Sequence, residues 1–298
     1  MKTNLRQYTL QITAIFALVS VLTIGCSSTY TPIQKIDGKY DLNYTMKKGV
    51  EFSITKENKH LNDRTFMGKQ MVTNTEDMIV IEIEVNSSAK DGCKIEMEYE
   101  DRSHATDEKG FEAEIDFSGL LKKEINAALS ANGELSDFDG LEELPQINFR
   151  DMDRVMTPEL YSYEFIDLFT IFPDHPVGVD EIWTYTQEFD EPSGGAILKA
   201  TLNYEYKIAS ESVEGFDNCI LLKGTYKFDI VGVIDAGGLE LTIKLDGTGV
   251  EDVCFDLKRK MFHWKRTSAV IDGSAFNEDM GITAPMHHEI ENKFNVEF

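Results

Sequence analysis

Leu198-Lys199-Ala200-Thr201-Leu202-Asn203-Tyr204-Glu205-Tyr206-Lys207-Ile208 carries an apolar side chain at every even position and a polar one at every odd position. Successive side chains of a strand point to opposite faces, so a sustained period of two reads as a strand with one dry and one wet face. The same signal continues downstream in Ile220, Leu222, Gly224, Tyr226, Phe228 and Ile230, and then in Leu239, Leu241, Ile243 and Leu245. Upstream it recurs in Tyr40, Leu42, Tyr44 and Met46, in Ile79, Ile81, Ile83 and Val85, and in Phe111, Ala113, Ile115 and Phe117. Lys48-Gly49, Asp91-Gly92 and Ala236-Gly237-Gly238 stand where such strands must turn, because these residue types tolerate the backbone angles of hairpins.

Two stretches in the middle carry a helical period instead. Ser118 is placed to cap a helix with Leu121, Ile125, Ala128 and Leu129 on one face, ending near Gly133. Thr157 precedes Pro158, a favoured first helical residue, and Leu160, Tyr161, Phe165, Leu168, Phe169 and Phe172 follow until Pro173 stops the run. The acidic stretch from Glu134 to Asp153 reads as a hinge. Lys48-Gly49-Val50-Glu51-Phe52 and Gly178-Val179-Asp180-Glu181-Ile182-Trp183 open the two strand sets in a related way. The expected fold is mainly β (α+β): a large curved antiparallel sheet or half-barrel, built as a duplicated unit, with two central helices packed on its apolar face. The expected divisions are 1–25 (signal peptide), 26–37 (tether), 38–150 (first β-rich half) and 151–298 (second β-rich half).

The segment Phe172-Pro173-Asp174-His175-Pro176-Val177-Gly178-Val179-Asp180-Glu181-Ile182-Trp183 is similar to a Pro, Val, Gly-Asp, Trp signature in a family of uncharacterised bacterial lipoproteins of Bacteroidota type. That family resembles the Lol-type and LppX-like lipoprotein carriers, which are half-barrels with helices in the concavity. The family usually has Gly beside an acidic residue before Trp, whereas Asp180-Glu181 stand here and the Gly is displaced to 178. The resemblance implies no catalytic residue.

The N-terminus agrees with export. Lys2 and Arg6 precede an apolar run through Ile12, Ile15, Phe16, Leu18, Val19, Val21 and Leu22, with no acidic residue. Gln11, Thr13 and Ser20 interrupt that run, which makes it a cleaved signal, not a permanent span of about 20 apolar residues. Leu22-Thr23-Ile24-Gly25-Cys26 resembles the lipobox of bacterial lipoproteins, which implies diacylglycerol and palmitate-type acyl chains on Cys26 as the new N-terminus. Each buried CH2 is worth about 0.8 kcal/mol, so two or three such chains hold a protein on a membrane. Ser27 to Asp37 then read as a tether of at most ~35 Å. No acidic cluster follows Cys26, which favours a periplasm-facing placement over the cell surface. Loss of Lys2 and Arg6 with the signal takes the net charge from −24 by two to −26, a field that repels nucleic acid and anionic headgroups.

No serine-nucleophile elbow, zinc-protease motif, phosphate loop or complete calcium loop occurs. Asp137-Phe138-Asp139-Gly140 reads as a turn. His287, His288 and Glu289 cannot converge on one ion from a single strand, and His263 beside Trp264 could join a site only through tertiary contacts. No enzyme activity, cofactor or metal is expected. Of the remaining cysteines, Cys93 falls in line with Ile95, Met97 and Tyr99 and should be buried and unpaired. A two-residue turn at Ala236-Gly237 would place Cys219 opposite Cys254, each on the polar parity of its strand, as a candidate disulfide. The functional expectation is a membrane-anchored carrier of a hydrophobic, lipid-like ligand, lined by Leu121, Ile125, Leu129, Phe165, Phe169 and Phe172. The alternatives are a structural lipoprotein that binds a protein partner and, last, an envelope hydrolase.

Overall fold

The computed structural model describes residues 35–66, 68–107, 115–149, 154–193, 196–235 and 238–298. The signal, Cys26 and most of the tether therefore lie outside the described residues, as do Phe111 and Ala113 and the turn residues 236 and 237.

Among the described residues, eleven antiparallel strands form one open sheet. Its first part is a meander of β1 (Glu51–Phe66), β2 (Lys69–Ala89), β3 (Gly92–Thr106), β4 (Glu124–Ser130) and β5 (Leu135–Asp139). A two-stranded ribbon, β6 (Ile147–Phe149) with β7 (Arg154–Met156), stands apart from it. The second part is a meander of β8 (Ile182–Ser193), β9 (Ala196–Ser210), β10 (Cys219–Asp235), β11 (Glu240–Asp256), β12 (Met261–Asn277) and β13 (Ile282–Glu297). The two meanders join where β1 pairs with β13, so the sheet runs from an edge at β5 to an edge at β8 without closing. Of the two matching sequence openings, β1 lies mid-sheet and β8 at an edge, so they occupy inequivalent places.

The alternating runs form strands because each has a face to bury. In β11, Leu241, Ile243 and Leu245 are buried while Glu240, Thr242 and Lys244 are exposed. Tyr40, Leu42, Tyr44 and Met46 are buried as their period requires, yet they join no ladder: apart from one bridge between Tyr40 and Val177, the segment crosses the core as extended chain. The last tether residues are held as well, since Lys35 and the Tyr40 hydroxyl both bond the Glu211 carboxylate.

The two central helices are corrected. Residues 124–130 form the strand β4, which pairs with Gly92–Glu98 of β3. Ile125, Ala127 and Leu129 are buried on one parity and Glu124 and Asn126 are exposed on the other, while Lys122 at φ 61° turns the chain just before it. The second helix begins where expected, with Pro158 opening a 3-10 turn through Leu160, but its α-helical part is only α1 (Ser162–Phe165). The rest, through Phe172, is an irregular plug. Phe165, Phe169 and Phe172 pack against Tyr99, Phe138, Tyr44 and Phe255 at ring separations of 4.8–5.9 Å.

Candidate functional site

Reading the registers across the sheet sorts the inward side chains into tiers. The deepest holds Ile220, Phe255, Phe262, Val296, Ile54, Ile81 and Tyr99, all buried under the plug. The next carries three cations on the dry face, Lys265, Lys56 and Arg102, along the ladder Val253, Lys265, Phe294, Lys56, Ile79, Arg102. Buried charges persist only with partners, and the plug supplies them. Glu164 takes a two-pronged bond from Arg102 at 2.5 and 2.6 Å and a third from the Tyr99 hydroxyl at 2.8 Å. The Asp167 carboxylate binds Lys56 at 2.7 Å, and its backbone carbonyl accepts the Lys265 ammonium. These competing bonds explain why the plug is not a long helix: its polar groups bind the sheet in place of one another.

Above the charges runs a polar tier: Trp183, Tyr206, Gly224, Glu251, Thr267, Asn292, Asn58, Asp77 and His104. Glu251 is fully enclosed, accepting from Thr170 Oγ1 at 2.8 Å and from the Tyr206 hydroxyl at 3.2 Å. Burial raises the Glu251 carboxyl from its ordinary value, and burial lowers the Lys265 amine. Trp183 stacks on Tyr206 at 5.6 Å and donates its indole N–H to Ile171, so the stretch 172–183 leads the chain from the plug into the edge strand.

The fourth tier bounds open space. Tyr185, Tyr204, Tyr226, Gly249, Ala269, Ile290, His60 and Thr75 succeed one another across eight strands, each opposite the next. These residues and their chain neighbours line a cavity of about 1140 Å³, and no plug residue contributes to its wall. One wall is aromatic, with Tyr185 to Tyr204 at 6.0 Å and Tyr204 to Tyr226 at 5.1 Å. Gly249 makes room for it, because a Cβ there would sit 2.3 Å from the Tyr226 ring. The facing wall carries His60, whose Nε2 is 2.9 Å from Nδ1 of His288, one step nearer the rim. His288 lies opposite Asn62, and His288 Nε2 and Asn62 Oδ1 are buried without a protein partner. Burial pushes both imidazoles down, His288 to about 4. Toward the far rim the inward face turns aliphatic: Ala200, Ile230, Leu245 and Met286, then Leu198, Ile243, Ala275 and Ala284.

The residues expected to line a ligand site lie elsewhere. Ile125, Leu129, Phe165, Phe169 and Phe172 are buried in packing below the cavity, and Leu121 is exposed. Of the cysteines, Cys93 is buried and free as expected. The β10–β11 hairpin closes with Asp235 opposite Glu240, two residues away from the expected register. Cys219 thus faces Asp256 and Cys254 faces Leu221, so the two thiols are diagonal neighbours; both are free and buried. His287 pairs with Asp272 at 2.7 Å and with Glu289 at 3.2 Å on the outer face, apart from His288.

No protein-family model and no curated protein sequence matches the chain. Among solved structures it aligns with lipovitellin, from a study of lipid-protein interactions, at a TM-score of 0.43 and 9% identity over 85% of this chain. The chain spans 25% of that protein. It also aligns with OccK2 (OpdF) of Pseudomonas aeruginosa at a TM-score of 0.19 and 7% identity, over 84% of this chain and 99% of the other. At these scores neither likeness bears on what the chain binds.

Proposed function

We propose that this chain is a membrane-tethered, periplasm-facing carrier without catalytic activity, which holds a hydrophobic or amphipathic lipid-like molecule in the trough of its open sheet. The observation that carries this reading is the fourth tier: eight consecutive strands turn side chains toward a cavity of about 1140 Å³ that the plug leaves unfilled. That size is somewhat above the range of small-molecule sites, about 300–1,000 Å³. Its chemistry changes along the sheet, from the polar tier of Glu251, Thr267, Asn292 and Asn58 at its base, through the tyrosine wall, to an aliphatic rim, with His288 Nε2 and Asn62 Oδ1 buried without a protein partner one step rimward of His60. Such a gradient matches a molecule with an apolar tail and a small polar end, the tail giving affinity by removing apolar surface from water and the polar end meeting the polar tier at the base of the trough.

The direct test is saturable binding of a fluorescent fatty-acid analogue to the purified chain, with Gly249→Val as the blocking variant. The new side chain would overlap the Tyr226 ring, which forms the cavity wall and would have to move. Affinity is expected to fall at least tenfold, at a stability cost of about 1–3 kcal/mol from overpacking. Thr242→Val, on the outer face of the same strand and away from the cavity, should leave binding unchanged. If the native chain does not bind the probe, or if Gly249→Val binds it equally well, the trough is not a ligand site.

The tether is tested separately by detergent phase partition. Acylation of Cys26 predicts that the full chain enters the detergent phase and that Cys26→Ala remains in the aqueous phase; a wild-type chain in the aqueous phase removes the anchor from the proposal.

A further inference from the structure

On the face of the sheet turned away from the trough, three side chains of metal-ligand type, Cys219, Asp256 and His263, converge at a bulge, with Cys254 next to Cys219. In the β10–β11 ladder Cys219 is opposite Asp256 and Leu221 opposite Cys254. Both cysteines and Asp256 therefore share one face, while Ile220 and Phe255 between them point into the core. The neighbouring ladder steps from Cys254 and Trp264 to Phe255 and Phe262, which leaves His263 as the extra residue of β12. Bulges of this kind re-aim a side chain. Ligand atoms of Cys219, Asp256 and His263 all lie within 4.8 Å of one another, His263 Nε2 is 3.3 Å from Asp256 Oδ2, and the Cys254 thiol is within hydrogen-bonding reach of Cys219.

We propose that Cys219, Cys254, Asp256 and His263 form a structural site for one transition-metal dication, with Zn²⁺ as the fitting ion. Two thiolates, an imidazole and a carboxylate are a tetrahedral zinc donor set. Zinc bonds of about 2.0–2.1 Å at a tetrahedral angle set nitrogen and oxygen ligands about 3.3–3.4 Å apart, which is the spacing already present between His263 and Asp256. The carboxylate is held in a fixed orientation, since Asp256 Oδ1 accepts the backbone N–H groups of Lys258 and Arg259 at 2.8 and 3.0 Å, and Oδ2 faces the imidazole, with Arg259 Nε farther off at 3.9 Å. Outer groups of this type fix metal ligands elsewhere. The His263 ring has Phe216 at 4.9 Å and Phe298 at 5.6 Å, and its side chain keeps 18% exposure, which leaves an entry path. Binding forms two Zn–S bonds, one Zn–N and one Zn–O, and releases the two thiol protons to solvent.

The main rival for the same sulfurs is a disulfide, and the register opposes it. Diagonal neighbours in an antiparallel ladder are about 7–8 Å apart, at or beyond the limit of about 7 Å for bridging without backbone movement. A shared ion tolerates that separation because each sulfur bonds the metal and not its neighbour.

The experiment is a Co²⁺ titration of the purified full chain, reduced and stripped of metal. One equivalent should bind with thiolate-to-cobalt charge-transfer absorption and tetrahedral d–d bands, and Zn²⁺ should displace it. Cys219→Ser and His263→Ala should each weaken binding on the order of a hundredfold, whereas Cys93→Ser, on β3, should not. The proposal is overturned if the reduced chain binds no stoichiometric Co²⁺, if no thiolate band develops, or if His263→Ala binds as the wild type does. It is equally overturned if thiol trapping at lysis shows Cys219 and Cys254 joined in the native chain.

Discussion

Replacing Arg102 with methionine is expected to lower the unfolding free energy by about 3–5 kcal/mol, because it leaves Glu164 ionised in the core without its counterion. The pair is nearly dry, with side-chain exposures of 3% and 10%. Burial opposes the guanidinium's charge, and the Glu164 carboxylate outweighs that and raises its affinity for the proton. Neither group can escape to water, since Glu164 belongs to α1 and α1 is held by Phe165. The loss is read as a shift of the urea midpoint at unchanged m-value. Adding Glu164→Leu to Arg102→Met should recover most of it, because apolar replacement of a buried pair is often neutral, less about 1–3 kcal/mol for the stranded Tyr99 hydroxyl. A midpoint shift below about 1 kcal/mol in Arg102→Met would show that the plug is loosely held and that the tiers do not depend on it.

The second large effect is with pH. The folded chain depresses His288 from 6.5 to about 4, first by burial and then by the nearby charges of His60, His287 and Arg64, against the opposite pull of Asp272. Between those two values the unfolded chain binds a proton that the folded chain refuses. Stability is therefore complete above pH 6.5 and is lost as pH falls toward about 4, by at most about 3.5 kcal/mol from this residue at ~1.4 kcal/mol per unit. His60, lowered by burial, adds to the same limb. Glu251 acts in the opposite sense: its raised carboxyl costs stability as pH rises above 4.5, so acid relieves it. Exposed His287 is raised by Asp272 and Glu289, and its contribution is full below 6.5 and fades as pH climbs through its folded value. His288→Asn should flatten the loss between pH 6.5 and 4 in denaturant titrations; an identical acid limb in that variant would refute the assignment.

The sheet was legible because burial on one face is written directly into parity, as in Leu241 to Leu245. Residues 121–129 were not, because Ile125, Ala127, Ala128 and Leu129 satisfy a period of two and a period near 3.6 at once; only the partner β3 decides between them. The plug defeated its sequence period for another reason. Glu164, Asp167 and Thr170 each bond a sheet residue at least 62 positions away, and such contacts override local propensity. The cavity was hidden because its wall is a ladder property: Tyr185, Tyr204, Tyr226 and His60 become neighbours only once the registers are known. One sign was available, the glycines at inward positions 224 and 249, since glycine inside a strand marks a close approach. The cysteine cluster was missed through the turn. A hairpin longer than two residues moved Cys254 off Cys219, and the bulge that delivers His263 leaves no mark in composition.

The meeting of β1 and β13 also sets a clock. His60 and His288 are 228 positions apart, and the pairing that unites them needs nearly the whole chain to have been made. Each meander can assemble from local hairpins on its own, but the floor of the trough must wait for Ile282–Glu297 to arrive. Non-local pairing of this kind is slow, on the order of milliseconds to seconds. During that interval the tyrosine wall and the aliphatic rim stand exposed with nothing facing them, and the two strands that await each other are the ones most open to a wrong partner. A chain cut before β13 would keep every tyrosine of the wall and have no vessel.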